Sequence, residues 1–164
     1  MNLKIYSLKD LLVTALKSEV ESRNIYAQLA ESVENFLLKD RFNFLASEEE
    51  KHRAFFENLF KQKFPKKEIT LPKKSPVPLP QIKFNAKNFV ISEILLSAMK
   101  AEKAAFDFYT KLTKRFKENP EVQKMLHYIA SMEMGHYRIL ELEKENAEKF
   151  ESHDIEWPLM HVGP

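Results

Sequence analysis

Cysteine is absent from this 164-residue chain. That excludes disulfides, zinc fingers and iron centres held by thiolates. Glycine is almost absent, with only Gly135 and Gly163. No apolar run approaches the roughly 18 residues that a membrane span needs, and Met1-Asn2-Leu3-Lys4 leads straight into polar sequence. The expectation is a chain with neither membrane span nor signal peptide, placed in the cytoplasm by default. Excess charge is lacking too: 26 Lys and Arg against 24 Asp and Glu leave a net charge of +2. Such a balance argues for neither nucleic acid nor a membrane surface as partner.

What the chain does have is 44% hydrophobic and 30% charged residues. With so little Gly, this is the usage of packed helices, because helices favour Leu, Lys, Glu and Ala. The length predicts one domain spanning residues 1–164 with a substantial core.

One pattern is written twice. The first copy is Glu19, seven residues to Tyr26, then Glu49-Glu50-Lys51-His52. The second is Glu102, seven residues to Tyr109, then Glu133-Met134-Gly135-His136. The copies are 83 residues apart at the first Glu and 84 apart at the Glu-x-x-His. At about 100° per residue, positions i and i+7 share one helix face. Positions i and i+3 are one turn apart, so a Glu and a His there can grip one ion together. If each half is an antiparallel hairpin, level ligands require turns midway, near residue 34 and near residues 117–118. The second midpoint falls in Lys117-Glu118-Asn119-Pro120, where Asn119 suits a helix cap and Pro120 a first helical position.

Charge leads to the same place. Four carboxylates balance two divalent ions with both histidines neutral, whereas buried without metal they would cost several kcal/mol each. Any one Glu or His here reads most simply as a solvated or capping residue; six together, duplicated with their tyrosines, read as a site for two metals.

The apolar periodicity predicts four helices: Ser7 to Val33, Asn35 to Lys61, Phe89 to Phe116, and Pro120 to Phe150. The predicted fold is an all-α antiparallel four-helix bundle, built from a hairpin at 7–62 and another at 89–150. Residues 63–88 hold five of the eight prolines and cannot be helix. Fully extended they could reach on the order of 80 Å, twice a helix length of about 40 Å. They therefore serve as one long crossover between the second and third helices. Its lysines, including Lys66, Lys67, Lys73 and Lys74, read as a solvated linker rather than an anion patch. Residues 151–164 form a tail, in which Trp157, Leu159 and Met160 suggest docking on the bundle or on a neighbouring subunit.

These residues resemble the ferritin-like di-iron carboxylate superfamily and, within it, the rubrerythrin family. The superfamily takes a Glu from each of two helices and a Glu-x-x-His from each of the other two. The stretches A-L-K-S-E-V-E-S-R-N-I-Y-A-Q-L-A (residues 15–30) and L-A-S-E-E-E-K-H (residues 45–52) look like the first two rubrerythrin helices. The resemblance implies that Glu19, Glu49, His52, Glu102, Glu133 and His136 ligate two iron ions. It makes Tyr26 and Tyr109 hydrogen-bond partners of ligand carboxylates. It implies reduction of hydrogen peroxide or O₂, with electrons from an external rubredoxin-like donor.

The chain departs from that pattern twice. Full-length rubrerythrins carry a rubredoxin module with a four-cysteine iron, and no cysteine is present here. They also usually supply an extra carboxylate from the third helix, where this chain has Met99, Ala105 and Phe106 around Glu102. Mn or Zn can occupy such a donor set as well. The alternative activity is ferroxidation or iron storage, as in bacterioferritin-like proteins. Glu48 is a reserve ligand four residues before His52, and His161 is a further candidate; His127 reads as structural or exposed. Gly135 reads as a close helix contact or as room for a ligand. The long crossover and the internal repeat predict a two-fold homodimer, with domain swapping as an option.

Overall fold

The computed structural model describes residues 2–85 and 89–156, with side chains placed as far as residue 151. Four helices carry the fold: α1 (Leu8–Ser32), α2 (Phe36–Lys63), α3 (Ile91–Leu112) and α4 (Pro120–Glu156). Short 3-10 turns lie at Leu3–Ile5 and Thr113–Arg115, and no strand occurs among the described residues.

Side chains mark where the helices start. Ser7 Oγ accepts from the Asp10 backbone N–H at 3.1 Å, and the Asp10 carboxylate accepts from Ser7 N–H at 3.3 Å. This capping box satisfies two otherwise orphaned donors. Asn35 caps α2 through Leu38 N–H at 3.1 Å, and Asn119 caps α4 through Val122 N–H at 3.2 Å. Each such cap stabilises by about 1 kcal/mol. α3 has no cap of its own, since Val90 stands at the cap position. Glu151, on α4, replaces it by accepting from Ser92 N–H at 3.1 Å and Ser92 Oγ–H at 2.6 Å.

Most helix ends lie within two residues of the sequence reading, and two differ by more. α3 stops at Leu112 and tightens into the 3-10 turn, where Thr113 Oγ donates back to the Thr110 carbonyl at 2.8 Å. α4 runs six residues beyond Phe150. No Gly or Pro interrupts that stretch. The segment 157–164, with Trp157, Leu159 and His161, lies outside the described residues.

α1 packs chiefly on α2 and α3 on α4. Pairing of Glu19 with Tyr109 and of Tyr26 with Glu102 sets α1 and α3 antiparallel, so the crossover must travel the length of the bundle. It does so along α1. Ser75 Oγ and Val77 N–H both donate to Thr14 Oγ at 3.2 Å, Gln81 reaches Glu21 at 2.8 Å, and Lys83 N–H reaches Ser97 Oγ at 3.1 Å. The crossover is not wholly a solvated linker. Val77 and Ile82 are buried and belong to the core, while Lys66, Lys67, Lys73 and Lys74 stay exposed.

Two apolar clusters fill the bundle. One gathers Leu11, Leu12, Phe56, Phe60, Leu112 and Leu126; the other gathers Leu29, Phe42, Leu45, Leu95 and Leu140. A polar layer separates them. Burying each large apolar side chain contributes about 1.5–3 kcal/mol, which offsets the cost of burying that layer.

Candidate metal centre

The polar layer consists of the six residues of the repeated pattern. Glu19 comes from α1, Glu49 and His52 from α2, Glu102 from α3, and Glu133 and His136 from α4. None exceeds 4% exposure. They form two overlapping groups, Glu19–Glu49–His52–Glu133 and Glu49–Glu102–Glu133–His136. Within each, one candidate ligand atom per residue lies within 4.8 Å of the others.

Glu49 and Glu133 belong to both groups. Glu49 sets Oε2 3.4 Å from His52 Nδ1 and Oε1 3.1 Å from His136 Nδ1. Glu133 sets Oε1 3.1 Å from His52 Nδ1 and Oε2 3.7 Å from His136 Nδ1. Glu19 and Glu102 each approach one histidine only, at 3.7 Å, His52 and His136 respectively. The site is two-fold in plan: two carboxylates span it and two close its ends.

The fit to cations can be tested on the polar atoms themselves. Both nitrogens of His52 and of His136, with Glu49 Oε1 and Glu133 Oε1, are buried and form no hydrogen bond. Close approach without hydrogen-bond geometry suits oxygens and nitrogens aimed at shared points rather than at one another. Buried polar groups are otherwise nearly always paired. Carboxylate and imidazole together suit iron, manganese or zinc.

The tyrosines cross between hairpins. The Tyr26 hydroxyl on α1 donates to Glu102 Oε1 on α3, and the Tyr109 hydroxyl on α3 donates to Glu19 Oε1 on α1. Burial, together with these carboxylates, holds both phenols well above their ordinary range, so both stay protonated donors. Each leaves the other oxygen of its carboxylate facing a histidine.

Without a cation the layer holds extra protons. Burial, then the charge of Glu49, raises Glu19 well above the usual carboxylate range. Burial and the charges of Glu102 and Glu19 push Glu133 up to about 8. Burial alone would also raise Glu102, but the nearby Glu133 and His136 and the hydrogen bond from Tyr26 outweigh it and hold Glu102 below the ordinary value. For the histidines burial favours the neutral ring; the surrounding carboxylates prevail, pushing His136 up to about 12 and raising His52 as well. A bound divalent ion would take over the role of those protons.

Other candidates fall outside the layer. Glu48 is buried, yet its carboxylate is paired with Lys51 and belongs to neither group. His127 is exposed. Glu50 faces outward, where hydrogen bonds from Arg53 and Arg23 bring its carboxyl down to about 2. A Cβ at Gly135 would meet nothing within 4 Å, so no close helix contact requires the glycine. Sequence reasoning missed Phe44, whose half-exposed ring stands edge-on to His136 at 6.5 Å. Its one signal is position, at the α2 place matching Tyr128 on α4.

The Rubrerythrin family model matches residues 10–144, which include all six candidate ligands and both tyrosines. A solved structure described as a hypothetical protein from Pyrococcus furiosus superposes with a TM-score of 0.82 at 37% identity. That match covers 91% of this chain and 95% of the other. No curated protein matches the chain.

Proposed function

This chain belongs to the rubrerythrin family, and from that premise we propose that it is a di-iron oxidoreductase that reduces hydrogen peroxide. The observation that carries the reading is the pair Glu49 and Glu133, each offering one oxygen to the His52 side and the other to the His136 side. Carboxylates placed in this way would hold two ions between the histidines, as a two-electron reduction at one small molecule requires. Two irons, when bound there, would supply one electron each.

The overall change is H₂O₂ + 2 e⁻ + 2 H⁺ → 2 H₂O. The chain's own residues provide the frame for it. The four carboxylates balance two divalent charges, and the histidines give up their protons to present neutral Nδ1 atoms. Tyr26 and Tyr109 fix the two end carboxylates, and the apolar clusters on either side exclude bulk water. These residues hold no cysteine for a second iron centre, and a separate donor protein is the electron source in this reading.

The test is oxidation of protein loaded anaerobically with ferrous iron. Peroxide should abolish the ferrous state within seconds, and O₂ more slowly. Inertness to both oxidants in a fully loaded sample would refute the proposal. Faster reaction with O₂, with ferric mineral accumulating in a hollow shell on size-exclusion chromatography, would establish iron storage instead.

A further inference from the structure

The end of the bundle where α1 begins and α3 stops carries a groove of about 470 Å³. Its walls include Lys4, Lys111, Lys114, Arg115 and Lys117, and no acidic side chain lines it. None of the four lysines is ion-paired among the described residues, in contrast to Lys17, Lys61, Lys103 and Lys144 elsewhere. Arg115 has a structural task, donating from Nη1 to the carbonyls of Leu3 at 3.2 Å and Tyr6 at 3.1 Å. Cations near the end of α3 also suit its dipole. That accounts for Lys111 and Lys114 but not for Lys4, which arrives from another element, nor for Lys117 beyond the 3-10 turn. Gathering these charges with no counter-charge raises the local positive potential and favours an acidic partner.

The core under this end is the aromatic half. The Tyr109 ring lies 5.0 Å from Phe56 and 5.4 Å from Phe108, and Phe60 lies 5.1 Å from Phe64. In the other copy of the repeat, Phe56, Phe108 and Phe116 correspond to Leu140, Ile25 and Val33. These rings, Tyr109 and the groove residue Leu3 share one buried cluster, and the Tyr109 hydroxyl holds Glu19.

We propose that this basic end is the docking surface for an acidic one-electron carrier protein. The inference rests on the redox reading of the metal centre and adds where its reductant binds. Each encounter oxidises the carrier by one electron, which passes inward through the aromatic half of the core. Two encounters supply the two electrons consumed per peroxide.

The test compares the iron-loaded wild type with the Lys111→Glu/Lys114→Glu/Lys117→Glu variant, leaving Arg115 in place. Lys73→Glu/Lys74→Glu on the crossover is the control. The probe is a reduced acidic rubredoxin, with reduction of the oxidised centre followed by stopped flow. For the wild type and the control the rate should fall steeply with added salt. The triple variant should be slower by roughly tenfold or more at low salt, with a flattened salt dependence. Reduction by a neutral hydroquinone, oxidation by peroxide and the thermal melt should not change. Cross-linking to gallium-substituted rubredoxin gives a readout free of redox chemistry, and should be lost in the triple variant only. Equal rates and equal cross-linking in all three proteins would overturn the proposal. Inertness to peroxide with charge-dependent cross-linking intact would count against the peroxidase reading and for the docking surface. Preference of the same lysines for a DNA duplex over the carrier would overturn the docking surface alone.

Discussion

The Tyr26 hydroxyl, carried by the first hairpin, donates to Glu102 in the second, and Tyr109 returns the same bond from the second hairpin to Glu19 in the first. Each half of the chain thus orients a carboxylate belonging to the other. The bonds join α1 to α3, helices that belong to different hairpins.

Replacing Tyr26 or Tyr109 by Phe removes one donor from a fully buried carboxylate. An unsatisfied buried group costs about 1–3 kcal/mol, and loss of a partner that orients a ligand typically weakens metal binding about 10–100-fold. Because the two bonds are equivalent, the two variants should behave alike. Thermal melts and competitive metal titrations check this, and a neutral Tyr26→Phe variant would show that its hydroxyl does not orient Glu102.

Two divalent ions per chain are expected, and the carboxylates should not be equivalent. Glu49→Gln and Glu133→Gln each disturb both positions and should lower occupancy of both. Glu19→Gln and Glu102→Gln each disturb one, and should leave close to one ion per chain. Elemental analysis against protein concentration decides between these patterns.

The metal-free protein should become less stable as pH rises. His52 and His136 have folded values raised above their usual 6.5, and Glu19 and Glu133 above 4.5, with Glu133 at about 8 and His136 at about 12. A raised folded value means that the native state holds more protons over that interval. The stability it contributes is complete below the unfolded value and is lost as pH climbs through the folded one. Glu102, shifted down, opposes this only at more acid pH. Denaturant unfolding should give falling stability from about pH 5 to about pH 9 without metal, and the opposite trend with metal, where fewer protons compete for the ligands. Rising stability in the metal-free protein would contradict this account.

Gly135→Ala should stabilise the protein. The added Cβ meets nothing within 4 Å, and Gly inside a helix costs about 0.5–1 kcal/mol relative to Ala. A melting temperature raised with metal stoichiometry unchanged is the expected result. A loss of metal would mean that the space over Gly135 serves the site.

The protein should be a two-fold homodimer. Phe36, Leu37, Tyr128 and Leu142 are each more than half exposed, as a subunit contact would leave them in a single chain. All six candidate ligands converge within one chain, so a domain swap is not needed to complete the centre. Truncation after Glu156 keeps α4 and the Glu151 cap on Ser92 while removing Trp157 and Leu159. The truncated chain should dissociate at higher concentration than the full chain in sedimentation, with metal binding retained. Equal dissociation would exclude the tail from the contact.

Local geometry made much of this legible in the sequence. Periodicities of three, four and seven residues are properties of one helix, so the four helices, their inward faces and the Glu-x-x-His pairs could be read directly. The caps at Ser7, Asn35 and Asn119 are equally local, because a side chain and an N–H three residues on need only each other. Relations between helices were not available in this way. That Glu49 and Glu133 span both positions while Glu19 and Glu102 close the ends depends on the level at which the hairpins meet. The partner exchange of Tyr26 and Tyr109, the edge of Phe44 against His136, and the cap that Glu151 lends to α3 depend on the same registers. Glu48 lost its place as a reserve ligand to Lys51, a pairing that rotamer and surroundings decide. Val77 left the linker for the core where Thr14 anchors the crossover on α1, and Ile82 did so beside the bond from Lys83 to Ser97 on α3. Periodicity fixed which way each side chain faces, and packing between helices decided what it meets there.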